Sequence, residues 1–401
     1  MLNEDAINSL IQPIIDRQEQ INIFVLTAIA NKVREIGKLS PSDIKRLKLL
    51  VAMAADIRLM NAELSQLANL QIRDTKQLIK EVAIDAHLDA KPLYDYRHKA
   101  FIPYAKNEKL QQYVTAVGKQ TADTFTNLAR SKANGFLIRD LKNPSTLKFQ
   151  SIDDTYKSIM DEAIQSVNSG VNYNVAMKRS LKQLTASGIR RMSWESGYTQ
   201  RLDTVVRRNL LNGIRDITQL IEDENGKRIG ADGKQLSAHM NCAVDHEPFQ
   251  GHIFTNEEFE KLQTGSSFTD IDNQSFGAVD RAIGEYNCRH LAYSIIIGVS
   301  KPKYTKQQLQ NMIQKNHEGY TMPNGQHKTL YECGQIQRQL ETKIRYAKEE
   351  QLTMKSAGNI NAARLARKKV VKYTKELNTF SKNCGLKTSK TRYSVPGYRA
   401  N

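Results

Sequence analysis

The sequence predicts a mainly α-helical protein carrying one small mixed α+β module. Three observations lead there. Apolar residues recur at spacings of three and four over most of the chain, the period that gathers them on one side of a helix. Between positions 226 and 300 that period is lost, and short apolar runs alternate with glycine, asparagine and turn dipeptides. Beyond 300 the helical period returns together with most of the chain's positive charge. The predicted order is a helical N-terminal region over 1–140, a second helical region over 141–225, the mixed module over 226–300, and a basic helical hairpin with a tail over 301–401.

In the first region Ser40-Pro41 is read as a helix start, since serine caps orphan amides and proline suits the first helical position. Ile44, Leu47, Leu50, Met53, Ile57, Met60, Leu64 and Leu67 continue at helical spacing. Pro92 and Pro103 mark a break among Tyr94, Tyr96, Phe101 and Tyr104, and a further helix is expected from about Glu108 to Ser131. The second region predicts three helices. Their stripes are Ile159, Ala163 and Val167; Val175, Leu181 and Leu184, closed by Gly188; and Leu202 through Val206, Leu210, Ile214 and Ile217 to Ile221. The last also carries Arg201, Arg207, Arg208 and Arg215, which fits a solvated face or one that meets acidic groups of a partner.

In the mixed module Asn225-Gly226 and Asp232-Gly233 read as turns, and Ile253-Phe254 and the run from Ala292 to Val299 as short strands. In the last region Leu330, Cys333, Leu340, Ile344 and Ala347 form one stripe and Ala362, Ala366, Val370, Tyr373, Leu377 and Phe380 another. Ser356-Ala357-Gly358-Asn359 between them can turn the chain back.

Composition excludes several classes. The longest apolar stretch, Ile21 to Ala30, is far short of the ~20 residues a membrane helix needs, and no signal peptide is expected at the start. The four cysteines form no CxxC pair, which speaks against a disulfide framework and for a reducing site of synthesis. GxGxxG, P-loop, HExxH and GxSxG signatures do not occur, so no common soluble enzyme is indicated.

Charge is the first positive clue. Residues 301–401 hold 21 basic and 6 acidic side chains, a net +15, whereas residues 1–300 hold 38 and 36, a net +2. Arg364, Arg367, Lys368, Lys369 and Lys372 fall within nine positions. A block of this kind attracts polyanions by counterion release, and double-stranded DNA bound without sequence preference is the expected partner.

The second clue is a concentration of histidine and cysteine. His239, Cys242 and His246 are spaced H-x2-C-x3-H, and Cys288-Arg289-His290 supplies two further donors. Thiolate and imidazole are zinc ligands, so zinc is a candidate cofactor. The preferred reading is a hydrogen-bond network that holds irregular loops together, because buried amides there must find partners. The alternative is a metal-dependent hydrolase or nuclease-like enzyme using His246, His290 and Glu247. In the network reading His246 lies beside Asn287, Cys288, Arg289 and His290, linked through a turn at Gln250-Gly251, with glycine at 251 for its backbone freedom or a close approach.

These blocks resemble the phage minor capsid protein 2 family, distantly similar to the Mu-F type head morphogenesis proteins. The similar pieces, in order, are Ser187-Gly188-Ile189, Ser196-Gly197, Leu202-Asp203-Thr204-Val205-Val206-Arg207-Arg208 with Gly213, Ser237-Ala238-His239, His246 with Gln250-Gly251, Asn287-Cys288-Arg289-His290 with Gly298, Gln335, Gln337-Arg338, Leu340-Glu341 and Ile344-Arg345. Phe380, Gly385-Leu386, Arg392 and Val395-Pro396-Gly397-Tyr398 resemble the family's ending. The chain departs from the pattern at Val244-Asp245, where the family has Arg-Pro, and at Phe249, where it has tryptophan. Cys242 is not a family position, leaving His239, His246, Cys288 and His290 as the metal quartet. The resemblance implies a low-copy, non-enzymatic component of the virion head interior, assembled in the host cytoplasm, that associates with the portal protein and other head proteins and not with a membrane.

Overall fold

The computed structural model describes residues 4–40, 48–126, 132–139, 145–168, 172–193, 195–240, 242–270, 274–277, 282–285 and 288–399. Its N-terminal part is built from long helices: α1 (Glu4–Ile36), α2 (Lys48–Asp89), the short α3 (Lys91–Tyr96), α4 (Glu108–Ala122), α5 (Ile152–Asn168), α6 (Tyr173–Ser187) and α7 (Leu202–Ile229). One core joins Ile14, Val25 and Ile29 of α1, Leu64, Ile79 and Val82 of α2, Val114 and Val117 of α4, and the α7 stripe Val206, Leu210, Ile214, Ile217 and Ile221. Residues on both sides of position 140 contribute to it. Pro41, the helix start expected from sequence, lies outside the described residues. At the end of α6, Gly188 takes φ +58° and its N–H closes on Leu184 O at 2.8 Å, as its place after the stripe suggests.

Two expectations for this part are corrected. The helix expected to reach Ser131 ends at Ala122 and passes through one 3-10 turn, Asp123–Phe125, whose Phe125 lies in the core at 1% exposure. Residues 127–131 lie outside the described residues. The two helical regions also contain an antiparallel sheet of β1 (Asn134–Arg139), β2 (Leu147–Ser151), β3 (Arg190–Met192) and β4 (Thr199–Arg201), in the order β2-β1-β3-β4. Gly135 permits the tightest pairing, since a Cβ there would lie 1.8 Å from Gln150 O.

A second antiparallel sheet, β6-β5-β9, follows, built from β5 (Gly233–Leu236), β6 (Ile253–Thr255) and β9 (Ala292–Ile295). Between β6 and β9 lie α8 (Asn256–Gln263) and the two-residue strands β7 (Phe268–Thr269) and β8 (Ser275–Phe276). Thr255 and Glu258 form a reciprocal capping box at the start of α8. Leu236, Phe249, Phe254, Leu262, Phe268, Phe276, Cys288 and Ala292 share a separate small core.

Asn225-Gly226 is not a turn. Both residues are buried inside α7, which runs on to a left-handed Gly230 at φ +68°. Asn225 Oδ1 lies 3.0 Å from both His87 Nδ1 and Tyr94 Oη. These tertiary bonds occupy the side-chain oxygen that would otherwise compete with the helix for its backbone amides.

The chain ends in α9 (Lys306–Glu318), the hairpin β10 (Tyr320–Thr321) and β11 (His327–Lys328), then α10 (Leu330–Ser356) and α11 (Ile360–Asn383). Residues 357–359 join the last two, and Asn359 Oδ1 caps α11 by accepting from Ala362 N at 3.0 Å. Leu340, Ile344, Ala347, Val370, Leu377 and Tyr393 pack between them. Met354, Ala362 and Ala363 join the N-terminal core, so this end of the chain is fixed to the helical body.

Candidate functional site

The histidine and cysteine side chains are set by the ends of β5 and β9. Ser237 N donates to Leu291 O at 2.8 Å, and Leu291 N donates to Ser237 Oγ at 2.9 Å. That exchange carries the β5–β9 register one pair past the sheet, and beyond it the His239 and His290 rings stack with centroids 4.5 Å apart. Two glutamines fix the turn beneath them. Gln250 Oε1 accepts from His239 N at 3.1 Å, and Gln235 Nε2 donates to Gly251 O at 3.1 Å. Gly251 has φ +78°, and a Cβ there would lie 2.2 Å from Leu309 Cδ2 of α9. Both reasons for glycine at 251 therefore hold.

His246, Cys288 and His290 converge. Cys288 Sγ is 3.4 Å from His246 Nδ1 and 3.5 Å from His290 Nδ1, and all three residues are buried. On its other side His290 Nε2 lies 3.6 Å from Cys242 Sγ. Burial alone would raise the Cys288 thiol, but hydrogen bonds to His246 and to the backbone outweigh it and bring the thiol below its ordinary range.

The five donors form two overlapping groups, His246–Cys288–His290 and His239–Cys242–His290. Among the described residues the quartet His239, His246, Cys288 and His290 does not form a single group of ligands. Cys242 takes part, and His290 serves both groups through different ring nitrogens. Arg289 between them is exposed, and Asn287 lies outside the described residues.

Glu247, the acid or base of the enzymatic alternative, is occupied elsewhere. Its Oε1 accepts from Asn316 Nδ2 at 2.9 Å and its Oε2 meets His317 Nε2 at 2.7 Å, both on α9.

The stripe on α7 that supports this site was not read from sequence. Arg215 Nη1 donates to Cys288 O at 3.4 Å. Gln219 bonds both backbone groups of Ala292, at 2.9 and 3.1 Å. Glu222 accepts Ser294 Oγ through its carbonyl at 2.7 Å, and Gly226 faces Ser294 Oγ at 2.3 Å from where a Cβ would stand. The signal was present as the spacing 215, 219, 222, 226, a second stripe beside the apolar one.

The arginines near the start of α7 point inward or pair locally rather than forming a solvated face. Arg201 is 5% exposed and joins Asp203 at 3.2 Å and Glu349 at 2.6 Å. Arg207 reaches Asn8 and Gln12 on α1 at 3.2 and 3.3 Å. Arg208 donates to Gln200 Oε1 at 2.7 Å, and Arg215 turns to Asp216 and Cys288.

Of the basic residues expected to meet DNA, Arg364, Arg367 and Lys368 stand exposed on α11. Lys372 is exposed as well, 3.8 Å from Glu376, and Lys369 alone of the five is drawn into a close pair, with Glu350 of α10 at 2.6 Å. The buried side of the same helix carries Ala362, Ala363, Ala366, Val370 and Leu377.

No helix among the described residues is long and apolar enough to cross a membrane. In comparison with known proteins, the family model described as Phage minor capsid protein 2 matches residues 2–382. No curated protein and no solved structure matches the chain.

Proposed function

The chain belongs to the phage minor capsid protein 2 family, which makes it a component of the phage virion, and from that premise we propose that it acts in head assembly beside the portal. In this reading it sits inside the capsid, joins it in the host cytoplasm, performs no reaction of its own and touches packaged double-stranded DNA through α11. The observation that carries the reading is the exposed placement of Arg364, Arg367 and Lys368 on a helix whose other side is packed into the protein. Their guanidinium and ammonium groups are available to phosphates without any rearrangement of the fold. Phosphate contacts carry no base information, so binding is general.

A mobility shift of the full-length protein on double-stranded DNA at several salt concentrations tests this. About three phosphate contacts give a slope near −3 in log K against log salt. The triple variant Arg364→Glu, Arg367→Glu, Lys368→Glu loses the shift while keeping its circular dichroism. No shift of the wild type at low salt, or one insensitive to salt, overturns DNA contact. Co-purification with portal protein tests the other half, and a portal that does not retain the chain overturns it.

A further inference from the structure

We propose that His246 Nδ1, Cys288 Sγ and His290 Nδ1 bind a zinc ion that ties the loop after β5 to the segment entering β9. The distances carry the assignment. An ion about 2.3 Å from sulfur and about 2.05 Å from nitrogen, at a tetrahedral angle, sets the sulfur-to-nitrogen separation at about 3.6 Å. The two separations here are 3.4 and 3.5 Å. The His246 and His290 rings are inclined at 66° with centroids 5.5 Å apart, so their in-plane lone pairs can converge on one point. The three donors are buried, at 1, 4 and 3% exposure, and a water completes the tetrahedron.

Each imidazole has its second nitrogen oriented by another group. His246 Nε2 faces Asp245 Oδ2 at 3.7 Å, and His290 Nε2 faces Cys242 Sγ at 3.6 Å. Outer partners of this kind fix the tautomer and ring orientation of ligating histidines. One thiolate with two imidazoles selects zinc over calcium or magnesium, which take oxygen ligands.

The neighbouring group, His239, Cys242 and His290, is the weaker cage. The His239 and His290 rings are stacked at 4.5 Å and 29°, so their lone pairs run side by side instead of meeting. The Cys242 thiol donates to its neighbour's carbonyl, Ala243 O, at 3.3 Å, which requires the protonated sulfur rather than the thiolate a metal takes. Cys242 therefore supports His290 from outside.

The test uses full-length protein from zinc-supplemented culture, with bound metal counted by mass spectrometry and cobalt(II) exchanged in as a probe. The wild type holds one zinc per chain, and the cobalt form shows a thiolate-to-metal charge-transfer band. Cys288→Ser loses the band and at least tenfold in zinc affinity, whereas Cys242→Ser, which removes only an outer partner of His290, keeps the band. A chain with Cys242→Ser, Cys333→Ala and Cys384→Ala leaves Cys288 as its only thiol and retains the band, which decides the matter even where Cys288→Ser does not fold. A wild type that takes up neither metal overturns the proposal. So does a band that disappears with Cys242→Ser and survives Cys288→Ser.

Discussion

Arg201 Nη2 and Glu349 Oε1 meet at 2.6 Å, 148 positions apart in the chain, with side-chain exposures of 5 and 0%. Asp203 sits between Arg201 Nε at 3.2 Å and Arg345 Nη1 at 2.5 Å. Burial opposes charge on Asp203, but Arg345 and Arg201 hold its carboxyl down at about 2. Burial, then the neighbouring Glu349, push Glu19 of α1 well above the carboxylate range. Arg201 and Arg345 thus face Asp203, Glu349 and Glu19, and the set pins α1, α7 and α10 together. The Arg201 guanidinium also stacks on Tyr346 at 4.2 Å and passes Gly188 so closely that a Cβ there would lie 2.2 Å from Nη1.

Removing one partner leaves an uncompensated buried charge, so Glu349→Leu is expected to cost about 3–5 kcal/mol. Adding Arg201→Met recovers part of that loss, because apolar replacements no longer need each other. Chemical denaturation of the two proteins checks both statements. A single-variant loss below about 1 kcal/mol, the range of a surface pair, contradicts this role.

Gly226 and Ser294 set the distance between α7 and β9. A Cβ at 226 would stand 2.3 Å from Ser294 Oγ and 2.7 Å from Ser294 Cβ. Gly226→Ala is expected to lower stability by about 1–3 kcal/mol through overpacking, against the small gain alanine gives inside an ordinary helix. Adding Ser294→Gly opens the space and restores most of the loss. Thermal melts of the two single variants and the double complete the cycle, and additive effects would argue that the two residues do not meet.

The same pair explains which parts of the fold were legible. The stripes of α7, α10 and α11 repeat over many turns, and each turn adds to the signal. Histidine and cysteine are rare enough that His246 and the Cys288–His290 pair stood out without knowledge of the sheet. Asn225-Gly226 misled because its helical role depends on His87, Tyr94 and Ser294, none of which is near it in sequence. The strands β3 and β4 are three residues each, rich in arginine and polar side chains, and they acquire meaning only when β1 pairs with β3 from more than fifty residues away and β4 pairs with β3 in turn. The buried arginine Arg201 had the same difficulty: its acidic partner Glu349 comes from a helix at the other end of the chain.

Glu222 makes stability depend on pH. Burial raises its carboxyl from 4.5 to about 7, only partly opposed by the Ser294 N–H and by Lys303 and Lys234. Between roughly pH 4.5 and 7 the folded chain holds a proton there that the unfolded chain has released, so this contribution is full below 4.5 and is lost as pH rises. The loss across that window is on the order of 3 kcal/mol. Glu222→Gln should match the wild type near pH 4.5 and exceed it in melting temperature at pH 8. Melting curves that run parallel across the range contradict the assignment.

Glu247 separates a structural module from an enzymatic one. Its Oε1 is the acceptor for the Asn316 amide, which is 2% exposed and whose own Oδ1 accepts from Tyr331 N at 3.1 Å. Its Oε2 meets His317, whose side chain is 54% exposed. Glu247→Ala strands the buried Asn316 donor and is expected to cost about 1–3 kcal/mol. Glu247→Gln keeps an oxygen for Asn316 and gives up only the partly solvated pair with His317, worth at most about 1 kcal/mol. The expected order of stability is therefore wild type, then Gln close behind, then Ala well below, with no hydrolysis of DNA or peptide by any of them. An acid or base in a reaction behaves differently: the Gln form would fold as well as the wild type and lose its turnover. Denaturation midpoints measured beside a nuclease and peptidase assay distinguish the two, and wild-type cleavage abolished by Glu247→Gln would make this residue part of an active centre.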